Sequence, residues 1–155
     1  MIYHADFHIE YPDSWSPVDR FTPVAFRCAS PLLIGARDVA TVIIFHFKGV
    51  DQPREYFRRG VAKLSGRFAH FELLETDEIL TKDVHLFKVR FMADGESPQS
   101  REQHEHQMHL GPRRSYVLEA KCRDVDYELY AREIDAILKS FKLIEPKQGL
   151  QTAPA

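Results

Sequence analysis

Long apolar runs are missing from this chain, and so is any marked excess of one charge. The longest apolar stretch, Val42 to Phe47, already contains His46 and falls far short of the ~20 residues that cross a bilayer, so no membrane-spanning helix is expected. Lys and Arg number 21 against 23 Asp and Glu, a formal net charge of −2 that is too even to draw in a polyanion. The basic cluster Arg54, Arg58, Arg59, Lys63 and Arg67 falls at helical spacing and reads as the solvated face of an amphipathic helix, so nucleic acid is not an expected partner. Cysteine is scarce too. Cys28 and Cys122 stand among apolar neighbours in alternating segments, where reduced, buried thiols are expected and a disulfide would require an oxidising compartment. The sequence has no Gly-rich phosphate loop, nucleophile elbow, paired-Cys knuckle or metalloprotease helix signature, so no catalytic class is indicated and no cofactor is expected. The amino terminus lacks the basic stretch, apolar segment and cleavage site of a secretory signal. The expectation is a cytoplasmic protein, or a periplasmic one whose signal has been removed.

What is present is patterned for one domain. Across 155 residues, 44% are hydrophobic and 28% charged, a balance that supports a single globular unit over 1–145 with a small, polar tail over 146–155. Phe7, Ile9 and Tyr11 alternate with polar neighbours as in a half-buried strand, and Pro12-Asp13-Ser14 turns the chain before Trp15. Val24, Phe26 and Cys28 repeat the alternation, while Ala40–Phe47 is apolar on both sides and predicts a central strand covered on both faces. Pro53 opens a helix capped by Asp51 or Gln52, lined by Tyr56, Phe57, Val61 and Leu64 and stopped at Gly66. Strands are expected over 68–76 and 84–92, with a reversal at Asp94-Gly95.

The last third carries the strongest pattern. Glu102, His104, His106 and Met108 share one face of a strand and Gln103, Glu105, Gln107 and His109 the other, so few core residues are available. An edge strand, or one whose polar face lines a groove, is predicted. After Gly111-Pro112, Tyr116, Leu118, Ala120 and Cys122 fall in phase as a core-facing strand. Tyr127, Tyr130, Ile134, Ile137, Leu138 and Phe141 then recur every three or four residues as a helix, with Asp126 as cap and Val125 stapled onto Tyr130. Strands outnumber helices and their connections are short, which predicts an α+β fold: an antiparallel sheet of six to seven strands flanked by helices.

The opening Phe7-His8-Ile9-Glu10-Tyr11-Pro12 with Trp15, and the closing Tyr116-Val117-Leu118, Ile134, Ile137-Leu138 and Ser140-Phe141, resemble the frame of the PsbP, Mog and DcrB superfamily over nearly the whole chain. That resemblance implies an α/β/α sandwich around an antiparallel sheet. It also implies a noncatalytic role, because members mostly bind other proteins: photosystem subunits, the Ran GTPase or, in the Eag branch, secretion effectors. The Eag chaperones of type VI secretion are similar in organisation, with a Gln-bearing strand before the last hairpin, here Gln103 and Gln107, and a sheet that holds effector helices. The His-rich polar strand of this chain departs from that pattern.

Candidate chemistry is sparse. His104 and His106, at i and i+2 of one strand, project from the same face and could share a metal ion, with Glu102 or His85 as further ligand and His109 on the opposite face. Unmetallated histidines on an exposed edge are the simpler expectation, since a zinc site wants three or four ligands. Asp13 with Asp19, and Glu75 with Asp77 and Glu78, lie in turn-like sequence where carboxyls are solvated. The leading expectation is therefore a noncatalytic module that holds a segment of a protein partner, such as a secretion effector, on its sheet. The candidate partner-binding residues are Arg90, Met92, His104, His106 and Met108. A metal-binding protein or metal-dependent hydrolase centred on His104 and His106, and an exported accessory domain, are the rivals. Self-association as a homodimer stays open.

Overall fold

A computed structural model describes residues 2–3, 7–17, 24–31, 33–34, 37–80, 85–95 and 100–144. The expected tail at 146–155, Asp19 and Val84 lie outside the described residues. The elements in chain order are β1 (Ile2–Tyr3), β2 (Phe7–Ile9), β3 (Ser16–Pro17), β4 (Val24–Ala29), β5 (Leu33–Ile34), β6 (Arg37–Asp38) and β7 (Ala40–Lys48), then α1 (Pro53–Arg67). They continue with β8 (Glu72–Leu80), β9 (His85–Asp94), β10 (Arg101–Leu110), β11 (Arg114–Arg123), a single 3-10 turn at Asp124–Asp126, α2 (Tyr127–Ser140) and β12 (Lys142–Leu143).

Seven strands pair in the order β3-β4-β7-β11-β10-β9-β8, every neighbouring pair antiparallel. Strands β1, β2 and β12 form a small second sheet, and β5 pairs with β6. Alternation fixes which residue faces which helix. Tyr116, Leu118, Ala120 and Cys122 of β11 pack with Val42 and Ile44 of β7, Phe7, Ile9 and Trp15, under Tyr130, Ile134, Ile137 and Leu138 of α2. On the opposite face Phe57 and Leu64 of α1 pack on Phe87, Val89, Phe91, Met108 and Leu110. The helices thus lie on opposite faces and are staggered: α2 covers the β4-β7-β11 half, α1 the β9-β10 half.

Several sequence expectations need correction. Strand β10 is not an edge: it is laddered to β9 and β11 along its whole length. Gly66 does not stop α1, which runs one residue further and ends at an extended Phe68; the left-handed turn that follows is made by His70, with φ of 51°. That turn delays the expected strand at 68–76 to 72–80, while Phe68 and Phe71 stay behind to pack on Phe91. Neither helix has a side-chain cap hydrogen bond; Asp126 instead faces Arg123 Nε at 3.3 Å. Val125 is largely exposed and staples nothing. Strand β7 is covered on both faces only through Ile44, after which His46 and Lys48 emerge into solvent. Gly49 is forced by packing, because a Cβ there would stand 2.0 Å from the Pro112 carbonyl oxygen, where the β10-β11 turn crosses the end of β7.

The core on the α2 side leaves no room to relax around Leu118 or Ile137, both almost fully buried. Replacing either with Ala is expected to lower unfolding free energy by about 2–5 kcal/mol in denaturant titrations. Leu73→Ala, at an exposed site on β8, should stay within about 0.5 kcal/mol of the parent protein.

Candidate functional site

The five residues singled out by sequence do not share a surface. His104, His106 and Met108 lie opposite Phe91, Val89 and Phe87 on the α1 face, whereas Arg90 and Met92 lie opposite Glu105 and Gln103 on the α2 face. The three on the α1 face are buried. His104 stacks on Phe91 with ring centroids 4.7 Å apart and meets Phe68 at 5.0 Å, and His106 stands edge-on to Phe91 at 5.1 Å. These imidazoles are used as flat, half-apolar core rings. Burial pushes their pKa down from 6.5 to about 4 for His104 and about 3 for His106, with nearby positive charge adding to the effect, so both are neutral near pH 7. On the other face the glutamines fasten β10 to its surroundings. Gln103 Nε2 donates to Asp124 Oδ1 at 2.8 Å, and Gln107 Nε2 donates to the Leu138 carbonyl at 3.3 Å.

The histidine pair is also poorly placed for a cation. Around it lies a cleft of about 420 Å³ lined by Arg67, Phe68, Glu102, His104, Glu119 and Lys121. Glu102 sits 3.9 Å from both His104 Nε2 and Lys121 Nζ, and Glu119 sits 4.0 Å from both His106 Nδ1 and Arg67 Nη1. Arginine and lysine thus stand where an added cation would meet repulsion. Among the described residues no three His, Cys, Asp or Glu side chains converge as a metal site. His85 is at the far end of β9, opposite Leu110, and His109 packs on Phe141 across the sheet.

The accessible surface lies instead on β8, which sequence placed partly in a turn. All nine of its residues are exposed, including Leu73 at 48%, Leu74 at 42%, Ile79 at 42% and Leu80 at 54%. It pairs with β9 on one side and, among the described residues, with no strand on the other, so alternate N–H and C=O groups point outward unpaired by the sheet. Register to β9 sorts its side chains, apart from an irregularity between Leu73 and Glu75. Leu73, Thr76, Glu78 and Leu80 share the α1 face, and Glu72, Glu75, Asp77 and Ile79 share the α2 face. A hollow flanks the strand on each side. One of about 320 Å³ runs between α1 and β8, with Phe57 and Val61 in its lining and Arg54 and Arg58 beside them. The other, about 280 Å³, holds Glu75, Asp77, Glu105 and Asp135 with Lys88 and Arg90. Arg90 is engaged there by Tyr127 Oη at 3.2 Å and Glu75 at 3.5 Å, and burial raises the carboxyl pKa of Glu105. Sequence found the first half of this strand within 68–76 and read the stretch around Glu75, Asp77 and Glu78 as turn-like, because acidic residues between apolar ones look like loop; its length without Gly or Pro was the available signal.

No protein-family model matches the chain, and no curated protein matches its sequence. Its fold has relatives among solved structures. LpqN of Mycobacterium tuberculosis, described as involved in cell envelope biogenesis, superposes with a TM-score of 0.70 at 10% identity over 90% of this chain and 83% of its own. The cyanobacterial PsbP of Synechocystis sp. PCC 6803 gives 0.61 at 10% identity over 89% and 86%, and the Ran-binding protein Mog1p of Saccharomyces cerevisiae 0.52 at 11% over 90% and 86%. The fold is therefore the PsbP-like, Mog-like sandwich that the sequence resemblance implied.

Burial of the histidines sets a pH dependence. His104, His106 and His109 have pKa values lowered from 6.5 to about 4, 3 and 4, first by desolvation. Their unfolded forms bind protons more readily, so the stability they contribute is complete above pH 6.5 and is lost as pH falls toward 4. The slope is up to about 1.4 kcal/mol per pH unit for each. Glu105 and Glu119, raised above 4.5 by burial, act in the opposite sense, losing their contribution as pH rises. Denaturant unfolding between pH 7 and 4.5 should show stability falling with acid, and His104→Phe, which keeps the stack on Phe91, should flatten that fall. An unchanged slope in the variant would mean that His104 is not held neutral.

Proposed function

We propose that this chain is a noncatalytic binding module that holds an extended segment of a protein partner along β8. The carrying observation is the strand itself: nine exposed residues, four of them large and apolar, at the edge of a seven-stranded sheet. An added strand would satisfy the outward backbone groups and cover Leu73, Leu74, Ile79 and Leu80, combining hydrogen bonding with apolar burial. The histidines of β10 are neutral rings packed in the core, so the exposed strand is the surface on which this reading rests. The Ran-binding protein Mog1p offers a precedent in the same fold for a protein partner.

Within this reading the narrower candidate for the guest is a secretion effector, in the manner of an Eag chaperone. It would then enter as a strand at β8, because the β10 glutamines that would greet a helix are already bonded to Asp124 and Leu138. A β8-to-β8 homodimer is disfavoured, since it would bring the acidic row Glu72, Glu75 and Asp77 alongside that of the second copy.

A photo-reactive phenylalanine analogue at Ile79, compared with one at the apolar and more exposed Leu129 on α2, tests the assignment in the native host. Adducts with a discrete polypeptide are expected from Ile79 alone. Equal labelling from both sites, or labelling from Leu129 only, would remove β8 as the docking strand.

A further inference from the structure

The two faces of β8 differ in chemistry, and a strand laid beside it must match both. On the α2 face stand Glu72, Glu75 and Asp77 in a row, followed by Ile79. Glu72 and Glu75 meet Arg101 and Arg90 on their inner side at 3.4 and 3.5 Å, yet their side chains remain 62% and 60% exposed; Asp77 accepts the Glu78 N–H at its Oδ1 and lies opposite Lys88 on β9. The hollow behind this row adds Glu105 and Asp135, the latter already paired with Lys139 at 2.8 Å, so four carboxylates face Lys88, Arg90 and Lys139, an excess of one negative charge. On the α1 face the row is Leu73, Thr76, Glu78 and Leu80, and the hollow beside it is lined by Phe57 and Val61. Glu78 on that face is already tied to Arg54 at 2.8 Å.

Resting on the assignment of β8 as the docking strand, we infer that the partner is a basic amphipathic β-segment. Its alternate Lys or Arg side chains lie against Glu72, Glu75 and Asp77, and the intervening apolar ones lie against Leu73, Leu80 and the Phe57-Val61 hollow. Directly opposed residues of antiparallel strands interact through side chains on the same face, so three acidic positions select three basic ones. Beyond the irregularity between Leu73 and Glu75, the period-two alternation of strand side chains delivers the apolar set to the other face. The same charge row rejects a second copy of β8, which separates this partner from self-association.

The test uses the full chain and three blocked ten-residue peptides in which valine alternates with lysine, serine or glutamate. Fluorescence anisotropy reads affinity, and hydrogen exchange at residues 72–80 reads location. The lysine peptide is expected to bind and protect β8, the serine peptide to bind roughly tenfold more weakly, as three cross-strand charge pairs would give, and the glutamate peptide not at all. Added salt should narrow the difference between lysine and serine, and so should the exposed pair of changes Glu72→Gln and Asp77→Asn. Equal binding of all three with protection of 72–80 overturns the charge selection and leaves strand addition standing. No protection of 72–80 by any peptide overturns both.

Discussion

Strand β10 is hydrogen-bonded along both edges, and the rest of the molecule is arranged around that double ladder. Ten residues rich in His, Gln and Glu hold the middle of a sheet because the register to β9 and β11 satisfies their backbone on each side. Once the backbone is fixed there, every side chain has a face assigned to it. The histidines must then enter the α1 core as neutral rings against Phe68 and Phe91, and the glutamines must find partners on the α2 side, which they do at Asp124 and Leu138. A polar strand is thereby made tolerable in a sheet interior: its glutamine amides are bonded internally and its histidine rings are packed against aromatics, although His104 Nε2 is buried without a hydrogen-bond partner among the described residues.

The stagger of the two helices follows from the same sheet. Apolar residues on β4, β7 and β11 point toward α2, and those on β9 with the end of β10 point toward α1, so each helix settles over a different half. Neither covers β8. Among the described residues the strand is left as the sheet's unpaired side, with a hollow on each face where helix cover runs out. The proposed docking strand is therefore a consequence of incomplete cover, located where the ladder ends rather than where its unusual residues lie.

Much of the fold was legible beforehand because its strongest patterns are short-range. The period of Tyr130, Ile134, Ile137 and Leu138 gave α2, the phase of Tyr116, Leu118, Ala120 and Cys122 gave a core strand, and Gly111-Pro112 gave the turn between β10 and β11. The site was much less legible. Alternation correctly separated His104 and His106 from His109, yet it left the polar strand as either an edge or the lining of a groove, because polarity is normally a sign of exposure; it is an inner strand, with Glu102 and His104 lining a cleft. For β8 the acidic residues Glu75, Asp77 and Glu78 suggested a turn, where the structure continues the strand to Leu80.

The amino-acid sequence by itself determined the element types, the antiparallel class and the parity of each side chain, since these depend on local backbone sterics and on apolar spacing of two or three to four residues. Only the tertiary structure decided which strand has two neighbours and which has one. Strand order is set by long-range pairing between segments that carry no mark of their partners, and it is this order that buries His104 and leaves Glu72, Glu75 and Asp77 facing outward.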